Sequence, residues 1–191
     1  MVLLLALMLA LTIALLRGGK LGRLADIRLR YGWVALLAFG LQVIVIYFPQ
    51  PRSEGLLGGH TVLLLVSYLF LILVVSANWR LPGLPLIALG LAFNLVVMMA
   101  NQGYMPVTFE ALQRAGMVHL ALGSEPGSRI MATKDIVLPR ESTHLWALSD
   151  VFVVPPPLPF RTIFSAGDMC LSLGAFVLFQ RVLCPRTAVR S

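Results

Sequence analysis

The chain has 191 residues, of which 59% are hydrophobic and 12% are charged, with a mean hydropathy of +0.89 and a formal net charge of +7. Soluble domains are about half apolar and a quarter charged, so this composition excludes an ordinary soluble protein and indicates an integral membrane protein. Basic residues beside apolar segments are typical of cytoplasmic loops. We predict no binding of nucleic acid, because no basic patch is interleaved with aromatic residues.

Five apolar segments predict five membrane-spanning helices in a single membrane domain of residues 1–191, because each approaches the ~20 apolar residues that a bilayer-crossing helix needs. The predicted spans are residues 1–16, 32–48, 61–77, 84–100 and 164–183. The first segment has no basic region ahead of it and no small-residue cleavage site behind it. This favours a retained span over the alternative of a cleaved signal peptide.

Five basic side chains follow the first span and predict a cytoplasmic basic loop, since Lys and Arg accumulate on that side of a membrane. They are Arg17, Lys20, Arg23, Arg28 and Arg30. The apolar residues between them are expected to press into lipid headgroups while the basic side chains meet anionic lipid. Docking of an acidic partner is the alternative.

Polar amides inside the apolar segments need partners on other helices, because the bilayer core offers none. Gln42 lies near the middle of the second span. Along the fourth span, Gly83, Gly90, Asn94 and Asn101 are spaced by 7, 4 and 7 residues, which places them on one stripe of a helix. Such a stripe predicts a close helix–helix contact, and a ligand pocket lined by Asn94 is the alternative.

The longest polar segment, residues 102–160, predicts a cap of about sixty residues between the fourth and fifth spans, on the outer side. Within the cap, Thr108 as N-cap and Gly116 as stop predict a short helix. The runs 129–138 and 145–154 are interpreted as short extended pieces, but they are too short for a periodic signal. The expected fold class is therefore an all-α integral membrane protein with five transmembrane helices.

Ser165 and Asp168 open the last span and predict a capping box, with Ser165 as N-cap and Asp168 at N3. Asp168 is the only acid expected inside a span, so it is also a candidate for a functional site. The sharper hypothesis is a bonded group of Asp168 with Asn94, Asn101 or Gln42. This group would join the cap to the helix bundle.

Three pieces of the sequence, in this order, resemble an uncharacterised family of bacterial multi-pass membrane proteins known as a domain of unknown function. They are Ala-Asn-Gln-Gly-Tyr-Met-Pro-Val at 100–107, Phe-Ser-Ala-Gly-Asp-Met at 164–169, and the run 171–181. The first piece contributes Gly103, Tyr104 and Pro106 to the expected cap junction. Where the family shows a second glycine, this chain has Gln102. The resemblance covers most of the chain and implies an architecture but no chemistry.

The expected location is the bacterial cytoplasmic (inner) membrane, with the N-terminus outside and the C-terminus inside. In this orientation nine of the fifteen basic residues lie inside and six lie outside, so the outer segments obey the charge rule poorly. The turn-rich loop 49–59 is then outside and the basic tail 184–191 is inside.

No spacing of His, Cys, Asp or Glu in the sequence indicates a metal or haem site, and no motif indicates nucleophilic or phosphate chemistry. His60, His119 and His144 are expected at the interface or in loops, with a zinc or haem site as the alternative. We therefore predict no catalytic residue, no metal and no cofactor. An enzyme is the remaining alternative, and its acids would come from the cap: Glu110, Glu125, Asp135, Glu141 and Asp150.

Few buried polar groups and a large cap favour a non-enzymatic accessory or structural subunit of a membrane protein complex. Its expected partners are membrane lipids and other membrane protein subunits. The alternative is binding or transport of a small solute or a lipophilic ligand such as a quinone or lipid. That ligand would lie between the second, fourth and fifth spans, near Gln42, Asn94 and Asp168.

Overall fold

The computed structural model describes residues 2–48, 58–123, 125–157 and 160–184. Most of the expected loop 49–59 and the tail after residue 184 lie outside this part of the chain. Six α-helices are present in the described ranges: α1 (Val2–Leu16), α2 (Gly32–Tyr47), α3 (Gly59–Ala77), α4 (Leu84–Ala100), α5 (Phe109–Ala115) and α6 (Ala166–Leu183). Helix α5 belongs to the cap, and the other five lie on the five apolar segments.

Four short β-strands lie in and beside the cap, so the expectation of an all-α fold is wrong. They are β1 (Met105–Val107), β2 (Asp135–Val137), β3 (Phe152–Val154) and β4 (Thr162–Phe164). β1 pairs in parallel with β2, and β3 pairs antiparallel with β4. Buried backbone groups need hydrogen-bond partners, and strand pairing supplies them where the chain is extended. Strands of three residues carry no periodic signal. Even so, β2 and β3 lie within the runs 129–138 and 145–154 that were interpreted as extended, whereas β1 and β4 were not predicted.

Two helices, α3 and α6, are long and apolar enough to cross a membrane by length and composition. α1, α2 and α4 have 15, 16 and 17 residues. At about 1.5 Å per residue these three helices are roughly 22–26 Å long, whereas a hydrocarbon core is about 30 Å thick. Helix length and composition therefore do not support the expected five spans.

Helices α4 and α6 approach each other closely along a line of glycines. A Cβ atom added to Gly90 would lie 2.6 Å from the carbonyl oxygen of Gly167, and one added to Gly83 would overlap the carbonyl oxygen of Gly174. Only glycine allows the two backbones to meet at these points. The stripe expected on α4 thus faces α6, and Asn94 continues it.

Two groups of buried apolar side chains form the core. The bundle core includes Leu64, Tyr68, Val97, Met98 and Met105. The cap core consists of Val107, Ala111, Leu112, Ile130 and Val137. Strand β1 contributes to both groups, because Met105 packs into the bundle and Val107 packs into the cap. The cap is therefore packed on the bundle through β1 and is more than a connecting loop.

The segment after α1 packs against the C-terminal end of α6. Arg17 Nη1 donates to Gln180 Oε1 at 2.8 Å, and Arg23 Nη1 donates to the carbonyl oxygen of Leu183 at 2.6 Å. Gln180 Nε2 in turn donates to the carbonyl oxygen of Ala10 at 2.8 Å. The last carbonyl groups of a helix lack donors within the helix, and the C-terminus carries partial negative charge. Arg23 satisfies one of these carbonyl groups, and both arginines place positive charge near this end of α6.

Candidate functional site

A polar triad of Asn94, Ser165 and Asp168 lies where α4 meets the N-terminal end of α6, and its Asp168 is half-buried. Asn94 Nδ2 donates to Asp168 Oδ1 at 3.0 Å, and Ser165 Oγ donates to Asn94 Oδ1 at 2.9 Å. Asn94 is 1% exposed and Ser165 is 0% exposed. Donor and acceptor of the Asn94 amide are both satisfied by protein atoms, as a buried amide requires.

The capping box predicted at the start of α6 is present and holds the triad in place. The Ser165 hydroxyl accepts from the Asp168 backbone N–H at 3.0 Å, and Asp168 Oδ2 accepts from the Ser165 backbone N–H at 3.3 Å. The positive end of the helix dipole favours a carboxylate here. At Gly167 a Cβ atom would overlap the Asn94 amide, so glycine is needed beside the triad. Asp168 therefore caps α6 and binds α4 at the same time.

The cap is fastened to the ends of α3 and α4 by side chains that bond its backbone. Asn101 Nδ2 donates to the carbonyl oxygen of His144 at 2.9 Å, and the His144 N–H donates to Asn101 Oδ1 at 3.1 Å. Thr61 Oγ1 donates to the carbonyl oxygen of Gln102 at 2.9 Å. The paired bonds of Asn101 fix both the position and the orientation of the cap backbone at residue 144.

The turn after α4 places Tyr104 against His60. Gln102 and Gly103 have φ angles of +58° and +88°, and a Cβ atom at Gly103 would overlap Thr61. His60 Nε2 donates to the carbonyl oxygen of Gly103 at 3.1 Å, and its ring stacks on Tyr104 with the centroids 4.2 Å apart. Glycine is thus required at 103, and Gln102 adopts a left-handed conformation that glycine tolerates better.

A lysine from the cap reaches between α2 and α3. The Lys134 ammonium donates to the Tyr68 hydroxyl at 3.1 Å and lies 5.5 Å from the centre of its ring. Gln42 and Leu64 line the same cavity, whose volume is about 10 Å³. A cavity needs about 10–15 Å³ to hold one water molecule, so this space accommodates no larger ligand.

Buried carboxylates lie near this lysine on both sides of β1. Asp135 and Asp150 each pair with a residue of β1. Burial raises the pKa of Asp135 to about 6, although the Lys134 ammonium lowers it. Burial also raises the pKa of Asp150, and the carboxylates of Asp135 and Asp168 act in the same direction. Asp150 Oδ1 is buried and has no hydrogen-bond partner among the described residues, which fits a carboxyl group that holds its proton.

A family model, described as a family of unknown function (DUF5317), matches residues 26–180. The chain belongs to this family. No curated protein and no solved structure matches the chain. The match confirms the expectation that the chain belongs to an uncharacterised family. Bacterial origin and a multi-pass topology stay predictions.

The DUF5317 match contains the triad and the whole cap junction, whereas α1 and the first three basic residues after it precede the matched range. Three of the predicted site residues, Asn94, Ser165 and Asp168, come together in the triad. Asn101 instead bonds the cap at His144. Gln42 lies beside Lys134, and no hydrogen bond joins it to the triad in the described structure. Three further predicted residues form the turn and β1: Gly103, Tyr104 and Pro106.

The five basic residues of the predicted cytoplasmic loop do not share one role. Arg17 and Arg23 bond to the end of α6, as described above. Arg30 is held through its backbone, whose N–H and carbonyl groups both bond the side chain of Asn78 at 2.9 Å. Lys20 and Arg28 are exposed. The Arg30 side chain is exposed as well, so the basic groups of Lys20, Arg28 and Arg30 make no hydrogen bond with the described residues.

Several residues of the site are missed by sequence reasoning. His60 is 2% exposed at the start of α3, and sequence reasoning assigned it no partner, whereas it bonds Gly103 and stacks on Tyr104. Lys134, Asp135 and Asp150 belong to the predicted outer cap, and pairing with β1 draws this part of the cap toward the bundle. The only available signal is the apolar pair Ile136 and Val137 directly after Lys134 and Asp135, which indicates a buried segment.

The chemistry that this site offers is electrostatic and structural. The Ser165 hydroxyl donates its hydrogen bond to Asn94 Oδ1 and is fully buried, so it is not exposed to a substrate as a nucleophile. Among the residues that the structure describes, no three His, Cys, Asp or Glu side chains are placed to hold a metal ion. The arrangement fixes the positions of the cap, α3, α4 and α6 relative to one another.

Proposed function

We propose that this DUF5317 protein is a non-enzymatic accessory subunit of a bacterial membrane protein complex. Five helices lie in the cytoplasmic membrane, with the N-terminus outside and the C-terminus inside. The cap faces outward and contacts another membrane protein, while lipids surround the helices. The observation that carries this proposal is the fastening of the cap to the bundle, in which Asn101, Thr61 and the neighbouring triad are committed to hydrogen bonds.

Such fastening has a physical cost that a plain connecting loop would avoid. Buried polar groups destabilise a fold unless each is hydrogen-bonded, and connections between helices normally run over the surface. A cap with a fixed orientation, by contrast, presents a preorganised surface, which lowers the ordering cost when a partner binds. The closed space beside Lys134 also supports a structural role over a reaction chamber.

Aromatic residues at the helix ends support the five-span topology. Trp33 and Tyr47 lie at the two ends of α2 and are 65% and 63% exposed, and Trp79 follows α3 and is 62% exposed. Trp and Tyr concentrate at membrane–water interfaces, where their rings meet the headgroups. Helices as short as α1, α2 and α4 fit a bilayer that thins locally or side chains that reach up to the interface.

Exposed apolar side chains indicate where the cap meets its partner. Leu122 and Met131 are 65% and 53% exposed and lie on two stretches joined by the Ala121–Ile130 bridge. The Leu122 N–H bonds Arg129 and the Met131 N–H bonds Leu120, so both side chains sit on a hydrogen-bonded support. Apolar side chains on a fixed support are typical of protein contact surfaces.

The experiment is purification of the tagged protein from its native host in mild detergent, followed by native mass measurement. We expect a second membrane protein at a fixed stoichiometric ratio. Leu122→Glu with Met131→Glu should release that protein, whereas Gln113→Glu, an exposed polar position on α5, should retain it. A lone chain in the native-host particle would contradict the accessory role.

A second candidate function, binding of a lipophilic molecule, is favoured by an apolar groove between α1 and α6. The groove has a volume of about 660 Å³, and Leu5, Phe164, Leu173 and Phe176 are among its lining residues. Its wall also contains Ser172, whose hydroxyl is buried and has no partner among the described residues. This groove differs from the location expected near Gln42.

Mass spectrometry of the purified protein tests this second candidate. We expect a lipid or quinone to be retained by the parent chain and by Leu89→Trp, which changes an exposed position on α4. Leu173→Trp fills the groove and should lose the bound molecule. Equal retention by both variants would place any such molecule outside the groove.

A further inference from the structure

An open groove of about 350 Å³ lies between the segment after α1, the turn after α3 and the end of α6. Its apolar lining residues are Ile27, Leu81 and Val182, and its charged ones are Arg23, Asp26 and Arg28. We propose that this groove binds one anionic phospholipid, whose phosphate is held by Arg23 and Arg28 and whose acyl chains begin on the apolar residues. The inference rests on the membrane location of the helices in the proposed function, but it requires no partner subunit.

Positive charge at this end of the bundle has almost no compensating acid. In the described part of the chain, Asp26 is the one acid beside seven basic residues at the ends of α1, α3 and α6 and in the connections between helices there. The seven are Arg17, Lys20, Arg23, Arg28, Arg30, Arg80 and Arg181. A basic surface beside apolar helices attracts the headgroups of anionic lipids.

Exposed aromatic side chains mark the headgroup level around the groove. Tyr31 and Trp33 lie at the start of α2, and Trp79 lies just before the turn that carries Leu81. Because Trp and Tyr concentrate at membrane–water interfaces, these three residues indicate where the bilayer surface meets the bundle. The groove therefore opens where lipid headgroups join their acyl chains.

The two arginines of the groove offer N–H donors that a lipid phosphate can reach. Arg23 Nη1 donates to the Leu183 carbonyl oxygen, while the other side-chain nitrogens of Arg23 are open to solvent and have no acceptor among the described residues. The Arg28 side chain is exposed and makes no hydrogen bond with the described residues. Guanidinium groups bind phosphate oxygens through paired N–H donors. Both arginines can therefore contribute to one phosphate site.

Hydrogen bonds fix the three segments that form the groove. The N–H and carbonyl groups of Arg30 both bond the side chain of Asn78 at 2.9 Å, which joins the segment after α1 to the end of α3. The Leu81 N–H donates to the Asn78 carbonyl oxygen at 2.9 Å. Arg23 joins the same segment to α6 through Leu183. A groove that is formed before binding lowers the ordering cost for a lipid.

The residues in the wall select among phospholipids. Two guanidinium groups and one carboxylate leave a net charge of +1, which complements the single negative charge of a phosphodiester. Phosphatidylcholine and phosphatidylethanolamine carry a positive group that cancels this attraction. Asp26 offers an acceptor for a headgroup hydroxyl, such as those of phosphatidylglycerol. A free phosphate would leave the apolar residues uncovered, so the groove fits a lipid better than a soluble anion.

Native mass spectrometry of the full, detergent-purified chain tests the inference. The probes are dioleoyl phosphatidylglycerol, the matching phosphatidylethanolamine and phosphatidylcholine, and glycerol 3-phosphate as a headgroup without chains. We expect one phosphatidylglycerol per chain, bound about tenfold more tightly than the other two lipids, and no binding of glycerol 3-phosphate. Equal binding of the three lipids, no binding of phosphatidylglycerol, or binding of glycerol 3-phosphate would overturn the inference. A lone chain in the native-host particle would contradict only the accessory role.

Two variants distinguish the groove from a diffuse basic surface. Arg28→Gln removes an exposed guanidinium group that bonds no described residue, so we expect an unchanged Tm without lipid and an affinity for phosphatidylglycerol about fivefold weaker. Lys20→Gln removes an exposed charge at the same end but outside the groove wall and should bind like the parent. Equal weakening by both variants would overturn the inference. So would an Arg28→Gln chain that keeps its lipid and loses a co-purifying protein, because that result assigns the surface to an acidic partner.

Discussion

The two ends of α6 satisfy the same physical requirement in different ways. At the N-terminal end, free N–H groups meet the short side chains of the buried Ser165 and the half-buried Asp168, both of which bond Asn94. At the C-terminal end, free carbonyl groups meet the long side chain of Arg23, which lies on the segment after α1. The short side chains keep their hydrogen bonds only if the backbone of α6 stays in place. The long side chain of Arg23 can change its conformation and keep its hydrogen bond after a small shift of the helix. The comparison teaches that the N-terminal end specifies the architecture and the C-terminal end only stabilises it.

The two ends also differ in whether their charge depends on pH. The surroundings of the triad contain the buried acids Asp135 and Asp150, whose pKa values are raised. Arginine keeps its charge over the whole accessible pH range. Any pH dependence of stability that comes from these two ends should therefore arise at the N-terminal end.

A change of pH is expected to give the largest effect. The pKa of Asp135 rises from 3.8 to about 6 in the folded chain, so between these values the folded state holds a proton that the unfolded state has released. The free energy of unfolding should therefore fall as pH rises through this window, by about 3 kcal/mol at most. Asp150 acts in the same direction. Thermal melting of the purified protein at several pH values measures the effect.

Asp135→Asn is the matched variant for the pH series. It removes the titrating group, so its melting temperature should depend less on pH between 4 and 6 than that of the parent. Glu125→Gln, at an exposed position, should keep the parent profile. A parent whose stability rises steadily with pH across this window would rule out the raised pKa.

Asp168→Ala is expected to have the next largest effect. It removes the acceptor of Asn94 Nδ2 and one half of the capping box. Loss of a buried hydrogen bond and of a helix cap together should cost about 2 kcal/mol, or roughly 4–8 °C in Tm. Asp26→Ala changes an exposed acid and serves as the control. Equal melting of the two variants would mean that the triad contributes no stability.

Arg23→Ala should have a smaller effect at the opposite end of α6. It removes one hydrogen bond to the Leu183 carbonyl group and one favourable charge at the helix C-terminus, which together contribute about 0.5–1 kcal/mol. Arg28→Ala, at an exposed position, should leave the Tm unchanged. If Arg23→Ala costs as much as Asp168→Ala, the distinction between the two ends fails.

Gln102→Gly should have the smallest effect, and its sign is the informative part. Gln102 has a φ of +58°, where glycine avoids the strain of a side chain but loses more entropy on folding. The relief of strain and the loss of entropy nearly cancel, so we expect the free energy of unfolding to rise by a few tenths of a kcal/mol. Gln113→Gly within α5 should instead destabilise by up to about 1 kcal/mol. Equal destabilisation by both changes would show that the turn does not need a left-handed residue.

Sequence reasoning reaches the parts of the fold that depend on local pattern. Apolar segments predict the positions of α1, α2, α3, α4 and α6, and spacing predicts the α4 stripe. The capping box follows from Ser165 and Asp168 alone, because the motif lies within four consecutive residues. The contact between Asn94 and Asp168 is reachable because both residues lie on long helices whose faces can be worked out.

The parts of the fold that sequence reasoning did not reach depend on contacts between distant parts of the cap. β1 pairs with β2 across about thirty residues, and no periodic pattern marks either strand. The position of Lys134 follows from that pairing, and the burial of Asp150 follows from its separate bridge to Val107, so neither could be reached from the sequence. The number of membrane spans is a separate matter, because α1, α2 and α4 match the predicted apolar segments but have only 15, 16 and 17 residues.

Labelling of single cysteines tests the central claim that the cap stands on the outer side, fixed to the bundle. In a Cys170→Ala and Cys184→Ala background, Glu125→Cys reports on the cap and Arg80→Cys reports on the turn between α3 and α4. An impermeant maleimide applied to intact spheroplasts should label position 125 at once and position 80 only after permeabilisation. The reverse pattern would place the cap in the cytoplasm and contradict the account.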